Sequence, residues 1–486
     1  MTVLVDFLAE LWLYVAGALT VLLAILASGH AILYKRDSRA AVAWVGLIWF
    51  APVVGAVLYA MFGINRIRRH ASDLRPVGRR LSGTAPLLTD AATVLATKVD
   101  GNRDHLIALG TLVDQVTRRP LTDGNAIEYF VNGDEAYPRM LAAIDGATRT
   151  VALSTYIFDH DASGLAFADA LDRAVQRGVS VRVLVDAVGS RYSWPPMVGV
   201  LRKRGVRVAR FLPTYLPWRA PFWNLRNHRK ILVTDGRVGF TGGMNIRRHH
   251  QQSTAPGRPM RDMHFEMRGP VVRQFMETFA EDWAFTTKEV LEGPDWFPEL
   301  AARGAIAARG ITDGPDEDFE KLRWTIQGAI ATARRSVRVV TPYFLPDAAM
   351  ISALNIAALR GVTVEIILPS RSNLPVVQWA SNAILWQLVK RGCDVYWSPP
   401  PFDHTKLVVV DGAWTLFGSA NWDPRSLRLN FEFNVECYDT VFGGKMEALF
   451  AARRDAARGL TGEDLDRRPL WIRVRDGIAR LFSPYL

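Results

Sequence analysis

Two short stretches of this chain carry the same set of reactive side chains. The first, HRKILVTDG, holds His228, Lys230 and Asp235 and runs on to Gly242, Gly243 and Asn245. The second, HTKLVVVDG, holds His404, Lys406 and Asp411 and runs on to Gly418, Ser419 and Asn421. The apolar run and the Asp-Gly that follows it read as a strand and a tight turn. On a strand, residues two apart share a face, so the His and Lys of each copy point together. Asp235 and Asp411 fall at the strand ends, where they serve the turn or the site. Two imidazoles, two ammonium groups and two amides suit the chemistry of a phosphodiester. One imidazole can attack phosphorus while the other protonates the departing alkoxide. Lys230 and Lys406 neutralise developing charge, and Asn245 and Asn421, with Gly243 and Ser419 beside them, offer hydrogen bonds to the phosphate oxygens. A single imidazole cannot attack and protonate at once, so one motif is insufficient.

The elements around these motifs are duplicated too. YPRMLAAIDGATRTVALSTYIF is matched by LRWTIQGAIATARRSVRVVTPYF, each reading as a helix followed by a buried strand. ALDRAVQRGVSVRVLVD (170–186) is matched by ALNIAALRGVTVEIILP (353–369), and LRKRGVRVARF by LVKRGCDVYW. Helices alternating with β-branched strands predict an α/β fold of two lobes packed as a pseudo-dimer, residues 126–300 and 301–460. Cys393 and Cys437 lie in apolar strand patterns and read as core.

The N-terminal end of the chain points to a membrane. Residues 11–34 contain no Asp, Glu, Lys or Arg, and a second apolar run covers residues 40–65. As helices each would be about 36–39 Å long, enough to cross a hydrocarbon layer of about 30 Å. Residues 1–65 therefore predict a two-helix transmembrane hairpin, with Pro52 and Gly55 kinking its second arm. Residues 66–125 read as a basic juxtamembrane segment and linker. Six arginines between residues 66 and 80, against three cations in the hairpin loop, place the long C-terminal part in the cytoplasm. The aromatic loop before the first motif, with Trp218, Arg219, Phe222 and Trp223, reads either as a dip into the headgroup layer or as a loop packed on its own domain. At 461–486, Leu470, Trp471, Val474, Ile478 and Leu481 recur near helical spacing with arginines between them. That tail suits a helix on an anionic bilayer or an ordinary helix packed on its own domain.

Composition removes other classes. With 49% hydrophobic residues and 15 Trp the chain is not disordered, and two cysteines do not make a disulfide scaffold. The formal charge of +11 asks for an anionic partner. With a membrane hairpin and no aromatic-basic platform, that partner reads as lipid rather than nucleic acid. His249, His250 and His264 are close in sequence, but no spacing supports zinc, and they read as solvated loop side chains.

The paired motifs resemble the phospholipase D superfamily. The hairpin, NLRNHRKILVTDG and SANWDPRSLRLNFEFNVE narrow the resemblance to bacterial cardiolipin synthases, over nearly the whole chain and most weakly at 66–120. The resemblance implies a multi-pass enzyme of the cell membrane that condenses two phosphatidylglycerols into cardiolipin and glycerol. It further implies a phosphatidyl-histidine intermediate, no metal and no other cofactor, with His228 as nucleophile and His404 as general acid and then base. Hydrolysis of a phospholipid by the same groups is the alternative. Downstream of each motif a carboxylate, Asp262 in the first copy and Glu432 in the second, is expected to accept a hydrogen bond from its own copy's histidine. Glu266 and Glu436 are the second candidates for that role.

Overall fold

The computed structural model describes residues 2–35, 38–63, 90–98, 104–213, 225–255, 257–316 and 318–483. The arginine run at 66–80 and the aromatic loop with Trp218 and Trp223 lie outside the described residues. The N-terminal helices form a unit of their own. Helix α1 covers Thr2–Tyr34, and its segment Leu11–Tyr34 has a mean hydropathy of 2.2 and is long enough to cross a membrane.

The second apolar run is not one span. It breaks into α2 (Ser38–Phe50), α3 (Pro52–Leu58) and a π-helical turn at Tyr59–Gly63. The break is at Ala51, whose φ and ψ of −140° and 77° leave the helical region. Pro52 supplies the cause: its ring crowds the residue before it, and it has no N–H to continue the ladder. The chain doubles back closely enough that a Cβ on Gly55 would meet the Leu47 carbonyl oxygen at 2.5 Å. His30 Nδ1 and the Tyr59 hydroxyl, 2.8 Å apart, tie this unit together.

The second unit is built on one long mixed sheet. Its first half contains β1 (Thr122–Val131), β2 (Thr150–Thr155), β3 (Ser180–Asp186), β4 (Arg207–Phe211), β5 (Arg226–Asn227), β6 (Ile231–Thr234), β7 (Val238–Gly242), β8 (Met260–Arg261) and β9 (Met263–Arg268). The second half repeats the series as β10 (Ile306–Asp313), β11 (Ser336–Val340), β12 (Thr363–Pro369), β13 (Asp394–Ser398), β14 (Phe402–Asp403), β15 (Leu407–Val410), β16 (Trp414–Gly418) and β17 (Asn430–Tyr438), closed by β18 (Arg458–Leu460). From the centre outward one half runs β1-β9-β7-β6-β2-β3-β4, and the other β10-β17-β16-β15-β11-β12-β13. β1 and β10 pair antiparallel and join the halves. Strands β2, β6, β15, β16 and β17 are buried along their whole length, β6 and β15 as the apolar runs ILVT and LVVV, and β17 with Glu432 and Glu436 buried among its apolar residues.

The lobes also share a core. One apolar cluster mixes Ile231, Phe265 and Phe275 from the first with Val409, Phe417 and Phe433 from the second. The rings of Phe265 and Phe417 stack with centroids 3.8 Å apart. The segment expected as a linker contributes to the fold as well. Helices Ala91–Ala96 and His105–Thr117 bury Leu95, Leu106, Leu109 and Val113 against Ile326 and Ile330 of the second lobe.

Candidate active site

Two very short strands decide where the histidines sit. β5, immediately before His228, pairs in parallel with the start of β17, Arg226 facing Asn430 and Asn227 facing Phe431. β14, immediately before His404, pairs in parallel with β8, Phe402 facing Met260 and Asp403 facing Arg261. Each pairing runs on by one hydrogen bond. The His228 N–H donates to the Phe431 carbonyl at 2.9 Å, and the His404 N–H to the Arg261 carbonyl at 2.7 Å. The next residue along each partner strand is Glu432 or Asp262.

This register exchanges the two carboxylates. His228 Nδ1 lies 3.0 Å from the Glu432 carboxylate, and His404 Nδ1 lies 2.8 Å from Asp262 Oδ2. The expectation that each histidine is served by its own copy is thus corrected: Asp262 holds His404 and Glu432 holds His228. Sequence order could not show this, because the partner strand arrives from the other lobe. An ionised carboxylate only accepts, so each Nδ1 carries the hydrogen and each Nε2 is left with its lone pair free. Glu266 and Glu436 are engaged elsewhere, Glu266 with Arg139 and Arg268, and Glu436 with Arg309 and Trp414.

Burial lowers the pKa of His228, with the Glu432 charge opposing the shift. It drives His404 well below the ordinary imidazole range, helped by the charges of Lys406, Lys230 and His228. Burial pushes Glu432 up, but His228, Lys230 and the Ser419 hydroxyl outweigh it and hold the carboxyl below its usual range. Asp262 is raised by burial, against the pull of Lys406. Lys230 and Lys406 are both buried and each donates to the carbonyl of its motif histidine. Burial brings Lys230 down to about 7, opposed by Glu432 and helped by the Lys406 charge, and Lys406 down to about 8, opposed by Asp262 and Glu432.

The remaining expected residues divide. Asn245 Oδ1 accepts from the Ile157 N–H, which fixes the amide and leaves Nδ2 as its donor. Asn421 Nδ2 donates one of its two N–H groups to the Ser426 hydroxyl at 3.1 Å. The Ser419 hydroxyl donates to Glu432 at 2.5 Å and so acts on the carboxylate that holds His228. Gly243 makes room for the other carboxylate, since a Cβ there would meet Asp262 Oδ1 at 2.2 Å. Asp235 and Asp411 sit at the turns that follow β6 and β15. Both adopt a positive φ at the turn. Asp235 accepts from the N–H groups of Thr148, Arg149 and Thr150, and Asp411 from those of Arg334, Arg335 and Ser336. Asp411 also bonds His105 Nε2 at 2.7 Å. These carboxylates start the neighbouring strands β2 and β11, at the ends of β6 and β15 away from the histidines.

Several site residues escaped sequence reasoning. Tyr156 stands with its ring 5.2 Å from that of His228 and 5.7 Å from Lys230 Nζ, and Tyr343 stands 6.3 Å from the His404 ring. Tyr156 follows β2 and Tyr343 follows β11, but on the repeat Tyr343 matches Ile157 rather than Tyr156, so the duplication offered no paired tyrosine to read. Arg229, between His228 and Lys230, is fully buried and bonds Asp282 at 2.7 Å and the Glu432 carbonyl at 3.1 Å. His250 is not a solvated loop residue: it is fully buried, 6.2 Å from the His404 ring, and accepts from the Asn245 N–H. His249, His250 and His264 form no metal-ligating cluster among the described residues.

Comparison with known proteins follows the same outline. Residues 140–283 and 326–454 match the family described as cardiolipin synthase, PLD-like domain, and residues 22–63 match a phospholipase D-nuclease N-terminal family. The chain is 33% identical over 462 residues to the major cardiolipin synthase of Bacillus subtilis, covering 93% of this chain and 95% of that one. It is 33% identical over 474 residues to cardiolipin synthase A of Pseudomonas entomophila, covering 96% of each. Among solved structures, phosphatidylserine synthase of Haemophilus influenzae superposes with a TM-score of 0.61 at 14% identity, over 80% of this chain and 100% of that one, a likeness of fold.

Proposed function

The chain belongs to the cardiolipin synthase family with phospholipase D-like domains, and on that premise we propose that it joins two phosphatidylglycerols into cardiolipin with release of glycerol. The observation that carries the mechanism is the exchanged pair of Nδ1–carboxylate contacts, which leaves two Nε2 atoms to share one phosphodiester. Nε2 of His228 attacks phosphorus, the bond to the headgroup glycerol breaks, and His404 gives that oxygen its proton. The negative charge of the phosphodiester beside His404 favours the protonated ring that burial alone disfavours. The terminal hydroxyl of a second phosphatidylglycerol then attacks phosphorus, its proton passes to His404, and the P–N bond breaks to free His228. Lys230, Lys406 and the Asn245 amide stabilise the charge on the non-bridging oxygens.

Residues 1–65 serve in this reading as the anchor in the cell membrane, α1 crossing it and the broken second run returning. The arginines at 66–80 favour the cytoplasmic side for the catalytic lobes. The boundaries at 126–300 and 301–460 describe lobes that share one sheet and one site.

Detergent-solubilised protein incubated with phosphatidylglycerol, followed by lipid mass spectrometry, tests the proposal. Cardiolipin and free glycerol in equal amounts are expected, and phosphatidic acid alone would replace the transferase with a hydrolase. His228→Ala and His404→Ala should each lower turnover by about 10³-fold or more. A chelator should leave the rate unchanged, because the two lysines supply the positive charge.

A further inference from the structure

The last helix, Leu470–Leu481, is packed inside out. A surface helix normally buries its apolar stripe and exposes its charges. Here Asp476 is fully buried, bonded to Arg468 at 3.0 Å and to Arg475 at 2.7 Å, and Ala479 is buried beside it. The Arg475 guanidinium in turn lies over the Trp379 ring at 4.5 Å, so the helix is held to helix Pro375–Asn382 by its polar side. Leu470, Trp471, Val474, Ile478 and Leu481 are between 51% and 76% exposed, and Phe482 continues the row. Their spacing sets them along one face. The two readings left open by the sequence are therefore separated, because an ordinary helix packed on its own domain would turn this row inward.

We propose that this face is a membrane-docking surface that lies in the headgroup layer of an anionic phospholipid bilayer. Charge selects the occupant. Arg473 and Arg480 flank the row, are exposed, and form no ion pair among the described residues. Size supports the same choice. A helix of this length is about 18 Å long and about 10 Å wide, so it offers a footprint of about 200 Å². A stable protein partner needs about 800 Å² on each side, whereas a bilayer needs no matched surface and accepts a short amphipathic helix lying in its plane. This inference goes beyond the proposed reaction, and it stands whichever acceptor the enzyme uses.

Arg473→Cys, Val474→Cys, Ile478→Cys and Arg480→Cys, made singly in the full chain and each labelled with an environment-sensitive fluorophore, would test it. The native Cys393 and Cys437 are buried. In vesicles containing phosphatidylglycerol, labels at 474 and 478 should shift to the blue and be quenched by aqueous iodide about threefold or more slowly than labels at 473 and 480. The contrast should shrink in phosphatidylcholine vesicles. Equal quenching at all four positions in both vesicles would overturn the proposal. So would protection that appears in lipid-free detergent and grows with protein concentration, which would give the face to a second copy.

Discussion

His228 and His404 resemble ordinary strand histidines until their Nδ1 partners are considered, and those partners make the sharpest residue-level test. Glu432→Gln and Asp262→Asn keep the shape but let the amide donate as well as accept, which loosens the tautomer that leaves Nε2 free. Each should lower kcat by about 10²-fold or more with KM little changed, measured as cardiolipin formed in mixed micelles. A second test rests on the lysines. Burial brings them to about 7 and about 8. An anionic phosphodiester favours charged amines, so its binding takes up protons and weakens as pH rises through those values. KM for phosphatidylglycerol should rise several-fold between about pH 6.5 and about pH 9. The His, Lys and Asn positions were legible because the pattern occurs twice. The pairing of carboxylate with histidine was not, since Glu432 reaches His228 across 204 residues of chain. The role of Asp235 was open for a different reason: spacing places it at a strand end but cannot say which way the carboxylate turns.

At the scale of elements, the turns that carry Asp235 and Asp411 do more than reverse the chain. Each carboxylate gathers three backbone N–H groups that would otherwise begin a strand unpaired. Asp235→Ala should cost about 1–3 kcal/mol of stability, read from the unfolding midpoint in detergent, while the fraction that remains folded keeps near-normal kcat. Loss of kcat without loss of stability would place Asp235 in the catalytic group. The glycines that end β7 and β16 are as constrained. A Cβ on Gly242 would meet the Met263 carbonyl oxygen at 2.5 Å, and one on Gly418 would meet Asn434 Cα at 2.5 Å. Strands and turns of this kind were legible from β-branched runs bounded by Asp-Gly. The two-residue strands β5 and β14 were not, because a ladder that short leaves no periodicity to read. In residues 40–65 Pro52 was legible as a kink, but a full break into two helices was not, because hydropathy averages over the one residue at which the backbone leaves the helix.

The whole molecule is two copies of one lobe on a continuous sheet, with a shared core and one site. That organisation was legible from the internal repeat, whereas the use of helices Ala91–Ala96 and His105–Thr117 in the second lobe was not, since their sequence has no counterpart in the first. One chain thus contains both histidines of its site. Equimolar His228→Ala and His404→Ala full-length proteins, mixed in one vesicle, should therefore recover no more cardiolipin synthesis than either alone. Recovery of a substantial fraction of the wild-type rate would show that sites form between chains.

The crossing of β5 onto β17 and of β14 onto β8 has one more consequence, which concerns inheritance. In a symmetric assembly of two identical lobes, any change at one histidine's support is copied at the other. Fusion into one chain removes that rule, and the two supports have diverged: Glu432 with the Ser419 hydroxyl on one side, Asp262 against the bare backbone of Gly243 on the other. Because each lobe carries its neighbour's support, neither can drift alone. A substitution in the second lobe retunes the first lobe's histidine, so the halves can specialise only as a pair.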